Sequence, residues 1–216
     1  MILDALRSAP VSGPAQQLVV LCHGVGADGH DLIDLAQSWR AALPHAAFLA
    51  PHAPDPYEGA PHGRQWFDLA DRTPSVLYAL AQRAAPALDA TVDAELQRLG
   101  LPGTAVALMG FSQGAMMVLH TGLRRRPVPA GLLAYSGSLL WTESLNRECA
   151  GHPPTLLVHG EADEVVPFVR AKESESALLQ LGIPVQTLWC PGVEHTIDQA
   201  GLSAGALFLQ RIFANS

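Results

Sequence analysis

Gly110-Phe111-Ser112-Gln113-Gly114 sets a serine between two glycines, after the apolar run 105–109 and before the helix-like run 115–120. That is the pattern of a nucleophile elbow, a strand-to-helix turn so tight that the serine backbone is strained and its flanks have no room for a Cβ. A serine hydroxyl is a poor nucleophile near neutral pH. It needs a base to take its proton and a carboxylate to orient that base. Of the nine histidines, His195 is the one in the turn after the last expected strand. Between Ser112 and His195 the only aspartate is Asp163, in His159-Gly160-Glu161-Ala162-Asp163-Glu164-Val165-Val166-Pro167. Its neighbours Glu161 and Glu164 read as solvated loop charges. Acyl transfer also builds negative charge on a carbonyl oxygen, which needs fixed donors. The amide after the nucleophile, Gln113, is one; the turn His23-Gly24-Val25-Gly26 offers Val25 as a second. Gln113 therefore matters through its backbone N–H, and His23 reads as structural.

These residues need a frame. Residues 18–22 are a continuous apolar run, typical of a strand buried on both faces. Residues 31–43 show helical spacing, with Leu32, Leu35, Ala36, Trp39 and Leu43 on one face. A second apolar run, 46–50, leads into the Pro- and Gly-rich stretch 51–73, whose Tyr57, Trp66 and Phe67 predict an ordered flap. Thr73-Pro74 opens a helical pattern running to Gly100, with Pro86 expected to break it in two. Further strands are expected at 131–135, 155–158 and 185–189, and helices at 166–181 and 197–213. Arg124-Arg125-Arg126 closes the helix after Ser112, where positive charge suits the helix dipole.

Strands alternating with helices predict a mainly parallel sheet with helices on both faces, and one domain over residues 1–216. In such sheets functional residues gather beyond the carboxyl ends of the strands. Ser112, Ser136-Gly137, the His23 turn and the loops 160–167 and 190–196 all fall there. The order Ser112, Asp163, His195 is the chain order of an α/β-hydrolase. The segment 136–155 is too short for a large cap domain, so the expected cover is the 51–73 loop and the 139–145 region.

With these segments in hand, the chain resembles the phospholipase/carboxylesterase family of small α/β-hydrolases. The likeness rests on His23-Gly24-Val25-Gly26-Ala27-Asp28-Gly29-His30-Asp31, Pro51-His52-Ala53-Pro54, Trp66-Phe67-Asp68 and Gly110-Phe111-Ser112-Gln113-Gly114-Ala115. It continues through Ser136-Gly137, His159-Gly160 with Asp163-Glu164-Val165-Val166-Pro167, and Gly192 with His195. The resemblance implies a serine carboxylesterase for short- to medium-chain esters or thioesters, with Ser112, Asp163 and His195 as triad and Val25 and Gln113 as oxyanion donors. It departs from the family at Cys22, where an aliphatic residue is usual, and in a flap that is short before Trp66.

Trp66, Phe67, Leu139, Leu140, Trp141 and Val166 are the candidates for an apolar acyl groove; packing on the core is the alternative for the aromatic and leucine side chains. Asp28 and Asp31 fit no full calcium pattern, and turn stabilisation or helix N-capping explains them better. No metal or organic cofactor is implied. The expected partner is a small-molecule acyl ester or thioester, or an acylated protein, met by a monomer or homodimer. A lysophospholipase, acyl-protein thioesterase, lactone hydrolase or peptidase would keep the same residues and change the pocket; a non-catalytic binding protein commonly lacks one of the three.

The net charge of −7 argues against nucleic acid, whose phosphates need a basic surface. Three cysteines without C-x-x-C spacing favour a reducing compartment over a disulfide framework. No apolar run reaches bilayer length and no signal peptide is visible, so a cytoplasmic protein is expected.

Overall fold

The computed structural model describes residues 1–141 and 143–214. The chain enters through β1 (Ala5–Ser8) and β2 (Gln17–Cys22), passes α1 (Gly29–Ile33) and α2 (Leu35–Trp39), and returns in β3 (Ala46–Pro51). A flap follows, built on the two-residue strands β4 (Asp55–Pro56) and β5 (Arg64–Gln65), and leads into the long α3 (Pro74–Leu99). Next come β6 (Val106–Phe111), α4 (Gln113–Gly122), β7 (Gly131–Tyr135), the short α5 (Leu145–Glu148) and β8 (Thr155–Gly160). The chain closes with α6 (Phe168–Gln180), β9 (Val185–Cys190) and α7 (Gln199–Ala214).

Among the described residues, seven strands form one sheet in the order β1-β3-β2-β6-β7-β8-β9. All neighbours pair in parallel except β1, which runs antiparallel on β3. The doubly apolar runs have their reason here: side chains alternate between two cores. Leu18, Val20 and Cys22 pack with α3, α4 and α6, while Val19 and Leu21 pack with α1, α2 and α7. The register Cys22↔Gly110 and Gly110↔Ala134 brings the ends of β2, β6 and β7 level, so their loops open side by side.

Two expectations about elements are corrected. The helix expected over 31–43 is two short ones, interrupted at Asp34. The apolar spacing reported the buried face, and that face survives the interruption: Leu32, Ala36, Trp39 and Leu43 are all buried. Pro86 does not break α3, which is continuous through it. Pro86 removes one amide donor, but it and Gln82, whose carbonyl loses its partner, are both exposed, so the freed carbonyl lies on the solvent side of the helix. The basic run after α4 also does more than meet a dipole. Arg125 is buried and bonds Asp89 and Asp93 of α3, and Arg124 pairs with Glu148 at 2.7 Å. The expected cover at 139–145 includes Thr142, which lies outside the described residues. No helix among the described residues is long and apolar enough to cross a membrane.

Candidate active site

Ser112 lies between β6 and α4 with φ 55° and ψ −118°, a left-handed conformation that a non-glycine residue holds only under strain. Its surroundings hold it there. Ser112 N–H donates to Tyr135 O at 2.9 Å, and its carbonyl accepts from Ala115 N–H at 3.0 Å. The flanking glycines are a steric requirement: a Cβ on Gly114 would sit 2.0 Å from Cys22 O, and one on Gly110 would sit 2.3 Å from the Gly114 carbonyl. The helix starts directly at Gln113, so its N–H has no carbonyl one turn back to bond. Among the described residues no protein group takes this amide or that of Val25. Both residues line the same cavity as Ser112.

Asp163 follows β8, its carboxylate wholly shielded from solvent. Oδ1 accepts from the Val165 and Val166 amides, each at 2.9 Å, and Oδ2 lies 2.7 Å from His195 Nδ1. A carboxylate only accepts, so Nδ1 carries the ring proton and Nε2 is left free as a base. The ring of Phe111, the residue before Ser112, packs on the His195 ring at 4.8 Å between centroids. The structure thus brings Asp163 and His195 into contact and seats His195 against the elbow strand. Glu161 and Glu164 are exposed and make no part of this contact.

The cavity has a volume of about 920 Å³, at the upper end of small-molecule sites. Leu139, Leu140, Trp141 and Val166 line it. Trp66 and Phe67 do not, and this is a correction. Both are buried in the core, where Trp66 donates from Nε1 to His23 O at 2.9 Å. In their place the wall is completed by Leu69, Leu77 and Met116, which sequence reasoning passed over. Leu77 and Met116 carry only ordinary helical periodicity, a signal that does not separate a pocket wall from a core contact.

Gln113 does more than its place after the serine predicts. Besides its free amide, its buried side chain accepts from Trp66 N–H at 2.9 Å and donates to Phe67 O at 2.7 Å. His23 is structural as expected: Nδ1 donates to Gly24 O at 2.7 Å and Nε2 accepts from Ala53 N–H at 3.0 Å. Burial pushes its ring toward the neutral form that this pattern requires. Asp28 caps α1, accepting from His30 N–H at 2.7 Å. Asp28, His30 and His52 each offer a ligand atom within 4.8 Å of the others, the one such group among the described residues. Its donors are already engaged, His52 Nδ1 by Gly29 N–H at 3.2 Å and Asp28 by the helix start.

The pattern of the phospholipase/carboxylesterase family matches residues 7–213. The chain belongs to this family. It is, like the family's members, a hydrolase of ester bonds on an α/β-hydrolase fold. Among curated relatives, the esterase YpfH of Escherichia coli (strain K12) is 29% identical over 189 residues, covering 88% of this chain and 80% of that protein. An acyl-protein thioesterase 1 from Gibberella zeae is 26% identical over 226 residues, covering 95% and 96%. The crystal structure of esterase PE8 superposes with a TM-score of 0.93 at 41% identity, covering 98% of this chain and all of that one. This family member carries the elbow, the second amide turn and the Asp–His pair at the strand ends where its fold gathers function.

Proposed function

We propose that this hydrolase cleaves short- to medium-chain acyl esters or thioesters by two-step acyl transfer, with residues 1–216 acting as one catalytic domain. His195 Nε2 takes the proton of Ser112 Oγ as that oxygen attacks the acyl carbonyl. The Val25 and Gln113 amides receive the oxyanion, and Asp163 holds the imidazolium that forms. His195 then gives its proton to the leaving alcohol or thiol. In the second step it activates a water that releases the acid and restores Ser112.

The observation that carries this reading is the 2.7 Å contact between Asp163 and His195, against the strand that ends in a strained serine. The two free amides, both lining the cavity of Ser112, support the reading of an oxyanion site. The apolar wall of Leu77, Met116, Leu139 and Leu140 supports an aliphatic acyl group, because its burial gains about 0.8 kcal/mol per CH₂. Relatives named esterase and acyl-protein thioesterase support both leaving groups, an alcohol or a protein thiol.

The test is hydrolysis of p-nitrophenyl esters and matching thioesters over a chain-length series, by wild type, Ser112→Ala and Asp163→Asn. Wild type is expected to pass through a maximum within short to medium chains, Ser112→Ala to lose activity, and Asp163→Asn to fall about 10⁴-fold. A fluorophosphonate probe is expected to label wild type and not Ser112→Ala. Equal rates in wild type and Ser112→Ala would sink the proposal.

A further inference from the structure

His159, near the end of β8, is buried to 2% exposure, and no step of the acyl transfer uses it. Its Nε2 lies 2.8 Å from Val166 O and 3.3 Å from Asp163 Oδ2. A carbonyl only accepts, so Nε2 carries the proton and donates, and the same N–H leans on the carboxylate. Asp163 Oδ2 is therefore shared by two imidazoles, His195 at 2.7 Å and His159 at 3.3 Å. Val166 closes the arrangement: its amide holds Asp163 Oδ1 while its carbonyl holds His159.

We propose that His159 is a positioning residue for Asp163, its Nε2–H fixing Oδ2 and drawing off part of the charge that Oδ2 presents to His195. The inference rests on the reading of Ser112, His195 and Asp163 as the catalytic set. The titratable groups facing His159 are Asp163 and His195, and the Phe168 ring packs on it at 6.2 Å. Burial disfavours the charged ring, which keeps it a neutral donor. Each donor on Oδ2 competes with His195 for the same lone pairs. Without His159, Oδ2 presents its full charge to the His195 Nδ1–H alone, and the acid limb of the rate profile moves upward. The fold has thus placed in β8 a residue that sets the pH at which the site begins to work.

The decisive measurement is the pH profile of kcat/KM for wild type, His159→Leu and His159→Gln. The leucine variant is expected to move the acid limb upward by about half a pH unit and to lower kcat about tenfold, with KM little changed. Glutamine places an amide N–H close to where Nε2 stood and is expected to return the limb to its wild-type position. A leucine variant whose rate falls with no movement of the limb overturns the proposal. If that variant does not fold, histidine ¹⁵N spectra of wild type decide: His159 is expected as the neutral Nε2–H form at neutral pH. An Nδ1–H form, or a protonated ring there, overturns the proposal. Asp163→Asn is measured alongside. Full activity there overturns the catalytic set and this inference together, whereas an inactive Asp163→Asn beside an unmoved His159→Leu limb overturns the inference alone.

Discussion

Gly114 shows how little freedom a single position in this site has. A methyl group there would lie 2.0 Å from the backbone oxygen of Cys22, so Gly114→Ala must push β2 away from α4. The expected loss is about 3 kcal/mol of stability or more, read as a lowered urea midpoint, with fluorophosphonate labelling of Ser112 lost in the fraction that folds. Gln113→Ala tests a different bond. It leaves the Gln113 backbone amide in place but strands the buried Trp66 N–H and Phe67 O, costing about 2 kcal/mol by the same measurement. The residues proposed to perform the chemistry could be named because chemistry restricts residue type: only one aspartate and one well-placed histidine answered Ser112. The side-chain work of Gln113 and the contact of His159 with Asp163 were not legible. Both depend on partners far apart in sequence or on a loop's closure, and a lone polar residue beside a motif carries no trace of either. Trp66 misled for the same reason: an aromatic on a flap reads equally well as pocket wall or as anchor, and its indole N–H found the His23 carbonyl.

At the scale of elements, α3 presents the clearest contest between local preference and packing. Pro86 costs the helix one hydrogen bond and strains the preceding turn, yet Ala81, Leu88, Val92 and Leu96 are buried on the same helix, before and after it. Packing wins, and the local cost remains in the folded state. Pro86→Ala is therefore expected to raise stability by about 1–3 kcal/mol, seen as a higher thermal midpoint with unchanged esterase activity. Arg125 of the loop after α4 ties that element to α3 through Asp89 and Asp93, whose side chains are 40% and 68% exposed. Because both partners reach solvent, Arg125→Ala is expected to cost about 2 kcal/mol, less than breaking a fully buried pair. Strands and their order followed from apolar runs and motif positions. Helix continuity did not, because propensity describes a segment before its neighbours are known.

For the molecule as a whole, buried histidines tie stability to pH. His120, 1% exposed and with Nδ1 unpartnered among the described residues, has its pKa lowered from 6.5 to about 4, chiefly by burial. Between those values the unfolded chain binds a proton that the folded chain refuses. The stability is thus complete above pH 6.5 and declines as pH falls toward 4, by about 2 kcal/mol at pH 5. Buried His23 and His159 are shifted in the same direction. Urea unfolding at pH 7 and pH 5 is expected to show a smaller difference in His120→Leu than in wild type. The fastening of the flap carries a consequence of another kind. Gln113, the residue after the elbow serine, grips Trp66 and Phe67 through its side chain, so flap and elbow are fastened to each other by one residue. Another part of the cavity wall is tied to α6 instead, by Leu139 N–H on Ser174 Oγ at 2.8 Å. Substitutions accumulating at 139–141 and along α6, which line the cavity, are expected to retune which acyl group is accepted while turnover persists, and the same number spread over 52–67 to erode turnover on every substrate. For laboratory evolution the molecule thus divides into a half to diversify and a half to leave alone.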